Sequence, residues 1–385
     1  MQLLHAGVLL QAYGTYMVVW KQEFGWSNTL LAGAYAGIQI CIGLLSPALG
    51  WILMRFGTQR VIMAGVALFS VGLLILSRAE SLVTFVVALF LIAVGVALSG
   101  ILPVTTVVVN WFDRYRATAV ALLQTGIGLG GLLVPLVATL IVEHGWRVTA
   151  ASSGLLVLLV GLPLGLAFRS RPEDHGTTPD GEHPGSAPAT RLQRGSFTAQ
   201  QALRTRAFWL VSLGHTTGVT VVSAMLVHAV VYLESRLEYS LQHAALIVAV
   251  MTGVTVLGQI VGGIAGDRFD KRMLAAAAMF GHAVGLVLLI LGAVLPFAIM
   301  QGLALGIRGP QMMSLRADYF GREAFPTVMG ISGLFIMAGQ VGGPVLVGIL
   351  VDASQSYLLS FWLLAGLALV GSLLFLWARP PEPRC

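Results

Sequence analysis

The stretch GWILMRFGTQR, residues 50–60, recurs in altered form as GIAGDRFDKR, residues 263–272. Each copy follows a long apolar segment, and each contains several basic residues. An apolar chain whose second half repeats motifs of the first is typical of a protein built from two similar helical bundles. The pair therefore predicts two structurally related halves.

Four further pairs of segments support the same division, and they occur in the same order in both halves. In one of these pairs Pro103 aligns with Pro310. The pairs are ALSGILPV (97–104) with ALGIRGPQ (304–311), NWFDRYRATAV (110–120) with ADYFGREAFPTV (317–328), GLGGLLVPLV (128–137) with AGQVGGPVLVG (338–348), and EFGWSNTLLAG (23–33) with LEYSLQHAAL (237–246). The repeat therefore extends over most of the chain.

The composition is that of an integral membrane protein. Of the 385 residues, 57% are hydrophobic and 10% are charged, and the mean hydropathy is +0.88. Soluble domains carry about 25% charged residues. The 46 glycines fit closely packed membrane helices, in which small residues let backbones approach.

Several classes of protein are disfavoured by the residues present. Cys41 and Cys385 form neither a disulfide framework nor a metal motif. No cofactor motif and no pair of nucleophile and base stands out, so we expect neither an enzyme nor a cofactor or metal. The net charge of +6 is distributed as in an oriented membrane protein, and we expect no nucleic-acid partner. The N-terminus lacks the basic region of a cleavable signal.

Apolar runs of about 18 residues or more predict membrane-spanning helices. The chain contains six such runs, then a polar stretch, then six more. The predicted fold is therefore an all-α membrane protein with twelve transmembrane helices in two six-helix bundles, residues 1–168 and 207–385. The runs are 3–20, 29–53, 61–77, 82–109, 117–142, 148–168, 207–232, 243–265, 273–295, 297–317, 324–350 and 357–377.

The stretch between the bundles, residues 169–206, is rich in Pro, Gly, His and charge. Such a composition cannot bury a core, and it predicts a flexible linker. Its end, FTAQQALRTRAFW, predicts a short surface helix in which Thr198 and Gln201 form a capping box. Arg204 and Arg206 are expected to face lipid headgroups.

The distribution of Lys and Arg predicts the orientation, because cytoplasmic loops carry an excess of both. One side of the membrane is assigned 17 of these residues, including Arg316, the linker arginines and the tail. The other side is assigned four, and Arg308 is the remaining one of the 22. We therefore expect both termini and the linker to be cytoplasmic in the inner or plasma membrane.

Arg308 is the strongest candidate for a functional residue. It lies about midway between Pro296 and Arg322, the polar limits of its apolar segment. A charge near the centre of a bilayer costs roughly 3 kcal/mol or more, and it marks a functional site by default. Arginine remains protonated in proteins, and no acidic residue lies deep in any predicted segment. Arg308 is therefore predicted to bind an anionic substrate. The alternative is a structural role, with bonds to carbonyls freed by nearby glycines and Pro310.

With its two predicted six-helix bundles, the whole chain resembles the major facilitator superfamily. The stretch 50–60 is similar to the family's loop motif G-x-x-x-D-R-x-G-x-R-[RK]. The resemblance implies that these loops brace neighbouring helices on the cytoplasmic side and take part in gating. Met54 stands where the motif has aspartate. The matching residues are Gly50, Arg55, Gly57 and Arg60 in the first copy and Asp267 and Arg268 in the second.

Within the superfamily, EFGWSNTLLAGAYA and ALRTRAFWLV resemble the monocarboxylate porter and oxalate–formate antiporter group. Several members of that group carry an anion-binding arginine in the eighth helix. The eighth segment here, HAALIVAVMTGVTVLGQIVGGIAG, has none. The resemblance therefore implies a small organic anion as substrate, with Arg308 of the tenth segment serving in place of that arginine.

The resemblance also implies that the first, fourth, seventh and tenth helices line a central cavity. Six polar residues of the first, fourth and seventh segments accompany Arg308 as candidates for substrate binding. Two of them, His215 and His228, could carry a proton, because histidine titrates near neutral pH. The alternative for each is a neutral ring that forms a hydrogen bond between helices. His282, in the ninth segment, is interpreted as structural. The six candidates are Gln11, Tyr13, Tyr16, Thr105, His215 and His228.

The sequence thus supports a secondary active transporter of a small organic anion, favouring a monocarboxylate, that works by alternating access. Proton symport is favoured, with anion exchange and uniport left open. An exporter of drugs or other amphipathic compounds is the alternative function. We expect a monomer in the lipid bilayer.

Overall fold

The computed structural model describes residues 1–181 and 197–382, and within these ranges the chain forms helices and no strand. Eleven helices there are long and apolar enough to cross a membrane, and a kink divides the longest into two. The fold class predicted from the sequence is confirmed. The segments are α1 (Gln2–Phe24), α2 (Asn28–Phe56), α3 (Thr58–Leu76), α4 (Leu82–Trp111), α5 (Arg116–His144), α6 (Trp146–Ala167), α7 (Arg206–Leu237), α8 (Leu241–Arg268), α9 (Lys271–Ile290), α10 and α11 (within Val294–Ser354) and α12 (Leu358–Trp377).

The division between α10 and α11 lies at Gly321, whose backbone has φ 80° and ψ 160°. Only glycine adopts this conformation readily. Helix α10 thus covers residues 294–320 and α11 covers 322–354. The tenth predicted segment, 297–317, ended three residues before the end of α10. Arg316, which the charge count assigned to the basic side of the membrane, lies within α10.

Short polar side chains define where several helices begin. Ser27, Ser81, Thr205 and Ser240 each accept a hydrogen bond from a backbone N–H in the first turn of α2, α4, α7 and α8, respectively. Such caps satisfy N–H groups that have no partner within the helix. Caps of this kind fix the first residue of each of these four helices.

Three of the spans are not continuous α-helices. Helix α1 contains a π-helical stretch, Ala6–Leu10, and α4 is interrupted at Gly100. Helix α5 contains a 3₁₀ stretch, Gly131–Leu133. A π-helical turn inside an α-helix frequently occurs at a functional site, and Gln11 follows this one directly.

The linker is described in part. Residues 182–196, the middle part of the predicted flexible stretch 169–206, lie outside the described residues. Asn110 donates to the Ser170 carbonyl (2.8 Å) and Trp111 to the Arg169 carbonyl (2.6 Å), so the beginning of the linker is bound to the end of α4. At its other end, the capping box of Thr198 and Gln201 is confirmed, and the short helix it starts is Ala199–Leu203.

The described residues form two compact units. Unit 1 holds those of Met1–Asp113, Leu123–Ala189 and Met329–Gly333, and unit 2 holds those of Arg114–Leu122, Thr190–Val328 and Leu334–Cys385. The boundaries predicted at 168 and 207 stay a prediction. The units have separate apolar cores, built around Trp20, Phe69 and Phe85 in unit 1 and around Met279, Phe361 and Phe375 in unit 2.

Candidate functional site

Helix α10 presents two different faces to its neighbours in unit 2. Gly302 and Gly306 form the face toward α8, where a Cβ on Gly306 would lie 2.4 Å from the Thr255 carbonyl oxygen. Gln301, Ala304 and Arg308 are spaced by three and four residues, so they share another face. Ala304 and Gln301 pack against glycines of α9, and Arg308 therefore continues a stripe that faces α9.

The guanidinium of Arg308 fills a gap left by Gly218 of α7. A Cβ built on Gly218 would lie 2.6 Å from Arg308 Nη1 and 3.0 Å from the sulfur of Met279. Arg308 is only 3% exposed, so its head does not point at lipid. The absent side chain at position 218 is what allows the arginine to extend between α7 and α9.

Arg308 is buried without a neutralising partner. Its Nε and Nη1 have no hydrogen-bond partner among the described residues. None of the ion pairs formed within 1–181 and 197–382 involves it. Burying an unpaired charge is strongly unfavourable, so the arrangement is suited to binding an anion.

A buried pair of polar residues lies along the same stripe. His282 Nδ1 donates to Gln301 Oε1, and Gln301 Nε2 donates back to the His282 carbonyl (3.3 Å). His282 is fully buried and within electrostatic range of Arg308. His282 was predicted to be structural, and Gln301 was not among the predicted site residues. The available signal was the seven-residue spacing from Gln301 to Arg308, which puts both on one helix face.

His215 is the predicted histidine that the structure brings close to Arg308. It precedes Gly218 by three residues on α7, and it lies within electrostatic range of Arg308 and Arg316. Its Nδ1 is buried without a hydrogen-bond partner in the described chain. Arg316 is fully buried and donates from Nη1 to the Met312 carbonyl (2.6 Å). We call His215, Gly218, Met279, His282, Gln301 and Arg308 the unit 2 polar cluster.

His228, thirteen residues beyond His215, is not part of this cluster. Its Nε2 is 3.0 Å from the Pro344 carbonyl oxygen of α11, and its ring packs against Tyr357. This arrangement matches the interhelical hydrogen bond given above as the alternative to proton transfer.

The candidates of the first and fourth segments lie in unit 1. Tyr13 donates to the Leu31 carbonyl (2.8 Å), and Gln11 donates to the Ile127 carbonyl (2.6 Å). Tyr16 is fully buried and stacks on Trp20. The Tyr16 hydroxyl lies near the Ser153 hydroxyl. The hydroxyl of Thr105 is buried without a partner in the described residues, so it retains hydrogen-bonding capacity.

The first copy of the loop motif forms the turn between α2 and α3. Gly57 has φ +79°, ending α2 and starting α3, and such a backbone favours glycine. Arg55 lies over the rings of Trp51 and Phe56. Gly50 is buried, and Arg60 is exposed.

The second copy of the motif caps a helix. Asp267 accepts hydrogen bonds from the backbone N–H groups of Ala117 (2.8 Å) and Thr118 (3.1 Å), at the start of α5. Nearby, Asp318 pairs with both Arg116 and Lys271. A carboxylate at a helix N-terminus is favoured by the partial positive charge there. These bonds explain why Arg114–Leu122 belongs to unit 2. Arg268, next to Asp267, ends α8.

Comparisons with known proteins agree on the family and the fold. A family model described as the Major Facilitator Superfamily matches residues 4–295 and 223–385. The chain is 27% identical to monocarboxylate transporter 11 of Homo sapiens, over 88% of this chain and 73% of that protein. It is 23% identical to a probable sulfoacetate transporter, SauU, of Cupriavidus necator, over 94% and 87%. It superposes on the E. coli fucose:proton symporter FucP with a TM-score of 0.73 and 15% identity, over 98% of each chain. At that identity the superposition establishes the fold alone.

Proposed function

The chain belongs to the Major Facilitator Superfamily, and from that premise we propose that it is a secondary active transporter of a small organic anion, a monocarboxylate, that works by alternating access. The family and the fold are those of multi-pass membrane transporters rather than enzymes. Transporters among its relatives imply a small-molecule substrate. The family and its members indicate a small molecule, and we propose in addition that this molecule is an anion.

The observation that carries the proposal is the unpaired guanidinium of Arg308. Two of its nitrogens are buried with free hydrogen-bonding capacity in the described chain. A guanidinium holds a carboxylate through two parallel, charge-assisted hydrogen bonds. The names of two relatives, a monocarboxylate transporter and a probable sulfoacetate transporter, also refer to organic anions.

We further propose proton symport as the coupling mode, with His215 as the titrating group. This histidine is a buried candidate in the unit 2 polar cluster whose Nδ1 lacks a partner there. In proteoliposomes, an inward proton gradient should drive accumulation of the substrate, and a protonophore should abolish it. Uptake that depends instead on anion loaded inside the vesicles would identify an exchanger.

The deciding experiment measures uptake of labelled lactate, pyruvate and oxalate by purified protein in proteoliposomes. Each charge-assisted hydrogen bond contributes about 1.5–3 kcal/mol, so Arg308→Gln should lower uptake about 100-fold. Arg308→Lys keeps the charge but loses the planar fork, and it should restore only part of the activity. Arg78→Gln, at an exposed arginine, is the matched control and should transport normally.

Two results would contradict the proposal. Normal uptake of the substrate by Arg308→Gln would remove the assigned role of the arginine. Transport of hydrophobic cations, with none of the organic acids, would instead identify an exporter of amphipathic compounds.

A further inference from the structure

Unit 2 contains a groove at the basic ends of α7 and α12, separate from the unit 2 polar cluster. Its volume is about 530 Å³, within the usual range for ligand sites. The residues that give it chemical character are Arg206 and Leu210 on α7 and Trp377, Arg379, Pro380 and Pro381 at the end of α12.

The close packing of α7 and α12 brings these residues together. Thr205 caps α7, so Arg206 is the first residue of that helix. Trp377 is the last residue of α12, and Arg379 follows it after one residue. Between the helices, Phe375 approaches so closely that a Cβ on Gly214 would lie 2.8 Å from its ring. The first turn of α7 and the last turn of α12 therefore lie side by side.

The groove is positively charged. Arg206 and Arg379 are both exposed, and neither takes part in an ion pair among the described residues. No acidic side chain is among the described residues that line it. The N-terminus of α7 adds partial positive charge beside Arg206. The groove is thus complementary to an anion.

An apolar surface continues from the groove along both helices. On α7, Arg206, Leu210 and Leu213 are spaced by four and three residues, so they share a face. On α12, Trp377 and Leu373 are four residues apart and share a face in the same way. Trp377, Leu373 and Leu213 are 65%, 46% and 41% exposed. Tryptophan is enriched where membrane helices meet the headgroup region.

We propose that this groove binds an anionic phospholipid, with its phosphate at Arg206 and Arg379 and its acyl chains along the apolar faces of α7 and α12. A soluble anion would use the two arginines but leave the adjoining apolar surface uncovered. Basic pockets between transmembrane helices are known to suit such headgroups.

The test is native mass spectrometry of the full chain in detergent, titrated with phosphatidylglycerol or phosphatidylcholine. The wild type should bind phosphatidylglycerol about 25-fold more tightly than phosphatidylcholine, because each of the two arginines should strengthen binding of an anionic headgroup about fivefold. Arg206→Gln/Arg379→Gln should lose this preference. Arg169→Gln/Arg171→Gln removes the same charge from exposed arginines outside the groove and should retain it.

Three outcomes would overturn the proposal. The first is equal binding of the two lipids by the wild type. The second is an equal loss of preference in both double variants, which would indicate general charge attraction. The third is competition by inorganic phosphate or glycerol phosphate as effective as that by phosphatidylglycerol, which would identify a site for soluble anions. Unfolding midpoints measured without added lipid check that both double variants are folded, because all four arginines are exposed.

Discussion

Arg308 and Gly218 form a pair in which one residue supplies a charge and the other supplies the space for it. The glycine lies on α7, and the guanidinium from α10 occupies the volume that any side chain there would take. Close packing inside proteins makes even one added carbon significant. Gly218 was not selected from the sequence, because the chain contains 46 glycines and nothing in the sequence distinguishes this one from the others in membrane helices.

Gly218→Ala should therefore weaken substrate binding by displacing the guanidinium. The new Cβ would lie 2.6 Å from Nη1, so the arginine must adopt another rotamer. We expect the KM for the anion to rise about tenfold, equivalent to about 1.4 kcal/mol, as measured by concentration-dependent uptake. Gly253→Ala is the control, since a Cβ there meets nothing within 4 Å. An unchanged KM for Gly218→Ala would show that the position of the guanidinium does not limit binding.

At the scale of elements, the start of α5 depends on a carboxylate from the end of α8. Asp267 accepts bonds from two N–H groups that have no partner inside α5. Capping interactions of this kind contribute about 0.5–2 kcal/mol. Met54 occupies the equivalent position in the first half, so the two loop motifs differ in the group that can serve as a cap.

If this cap takes part in gating, its removal should change turnover rather than substrate binding. We expect Asp267→Ala to alter the maximal uptake rate several-fold with the KM unchanged, and Asp267→Asn to have a smaller effect because its amide oxygen still accepts one bond. Asp352→Asn, at an exposed acid of α11, is the control. A lowered unfolding midpoint with normal kinetics would reduce Asp267 to a purely structural role.

The junction of α10 and α11 depends on a single glycine. Gly321→Ala would place a Cβ at φ 80° and ψ 160°, a conformation that costs other residues about 1–3 kcal/mol. We expect the unfolding midpoint in detergent to fall by roughly 2–6 °C. Gly348→Ala in α11 is the matched substitution, since a Cβ there meets nothing within 4 Å. An equal midpoint in both variants would mean that α10 and α11 tolerate a different junction.

Apolar length and the internal repeat were sufficient to predict the helices, but not their ends or interruptions. The end of α10 was predicted three residues early, at 317, because the polar residues Arg316 and Asp318 interrupt the apolar run, whereas the Arg316 side chain is buried against its own helix. In the candidate site, Arg308 was evident from the cost of its charge. Its neighbours Gly218 and Gln301 depend on how α7, α9 and α10 pack, and one sequence without structure does not determine that packing.

At the scale of the whole molecule, the distribution of basic residues predicts which side of the membrane each loop occupies. Leaving out Arg316, whose side chain is fully buried, lowers the count on the basic side from 17 to 16, against four on the other. The asymmetry is large enough to retain the predicted orientation, since short loops with excess Lys and Arg stay cytoplasmic.

This orientation is tested by single cysteines introduced after replacing Cys41 and Cys385 with serine. Glu80, between α3 and α4, and Asp174, after α6, are both exposed acids, so they form a matched pair. The orientation places the loop with Asp174 on the basic, cytoplasmic side. A membrane-impermeant maleimide should therefore label Glu80→Cys in intact cells, and it should label Asp174→Cys only after the membrane is permeabilised. The reverse pattern would invert the protein in the membrane. It would also move Arg206 and Arg379 to the outer leaflet without changing the chemistry by which they attract an anionic lipid.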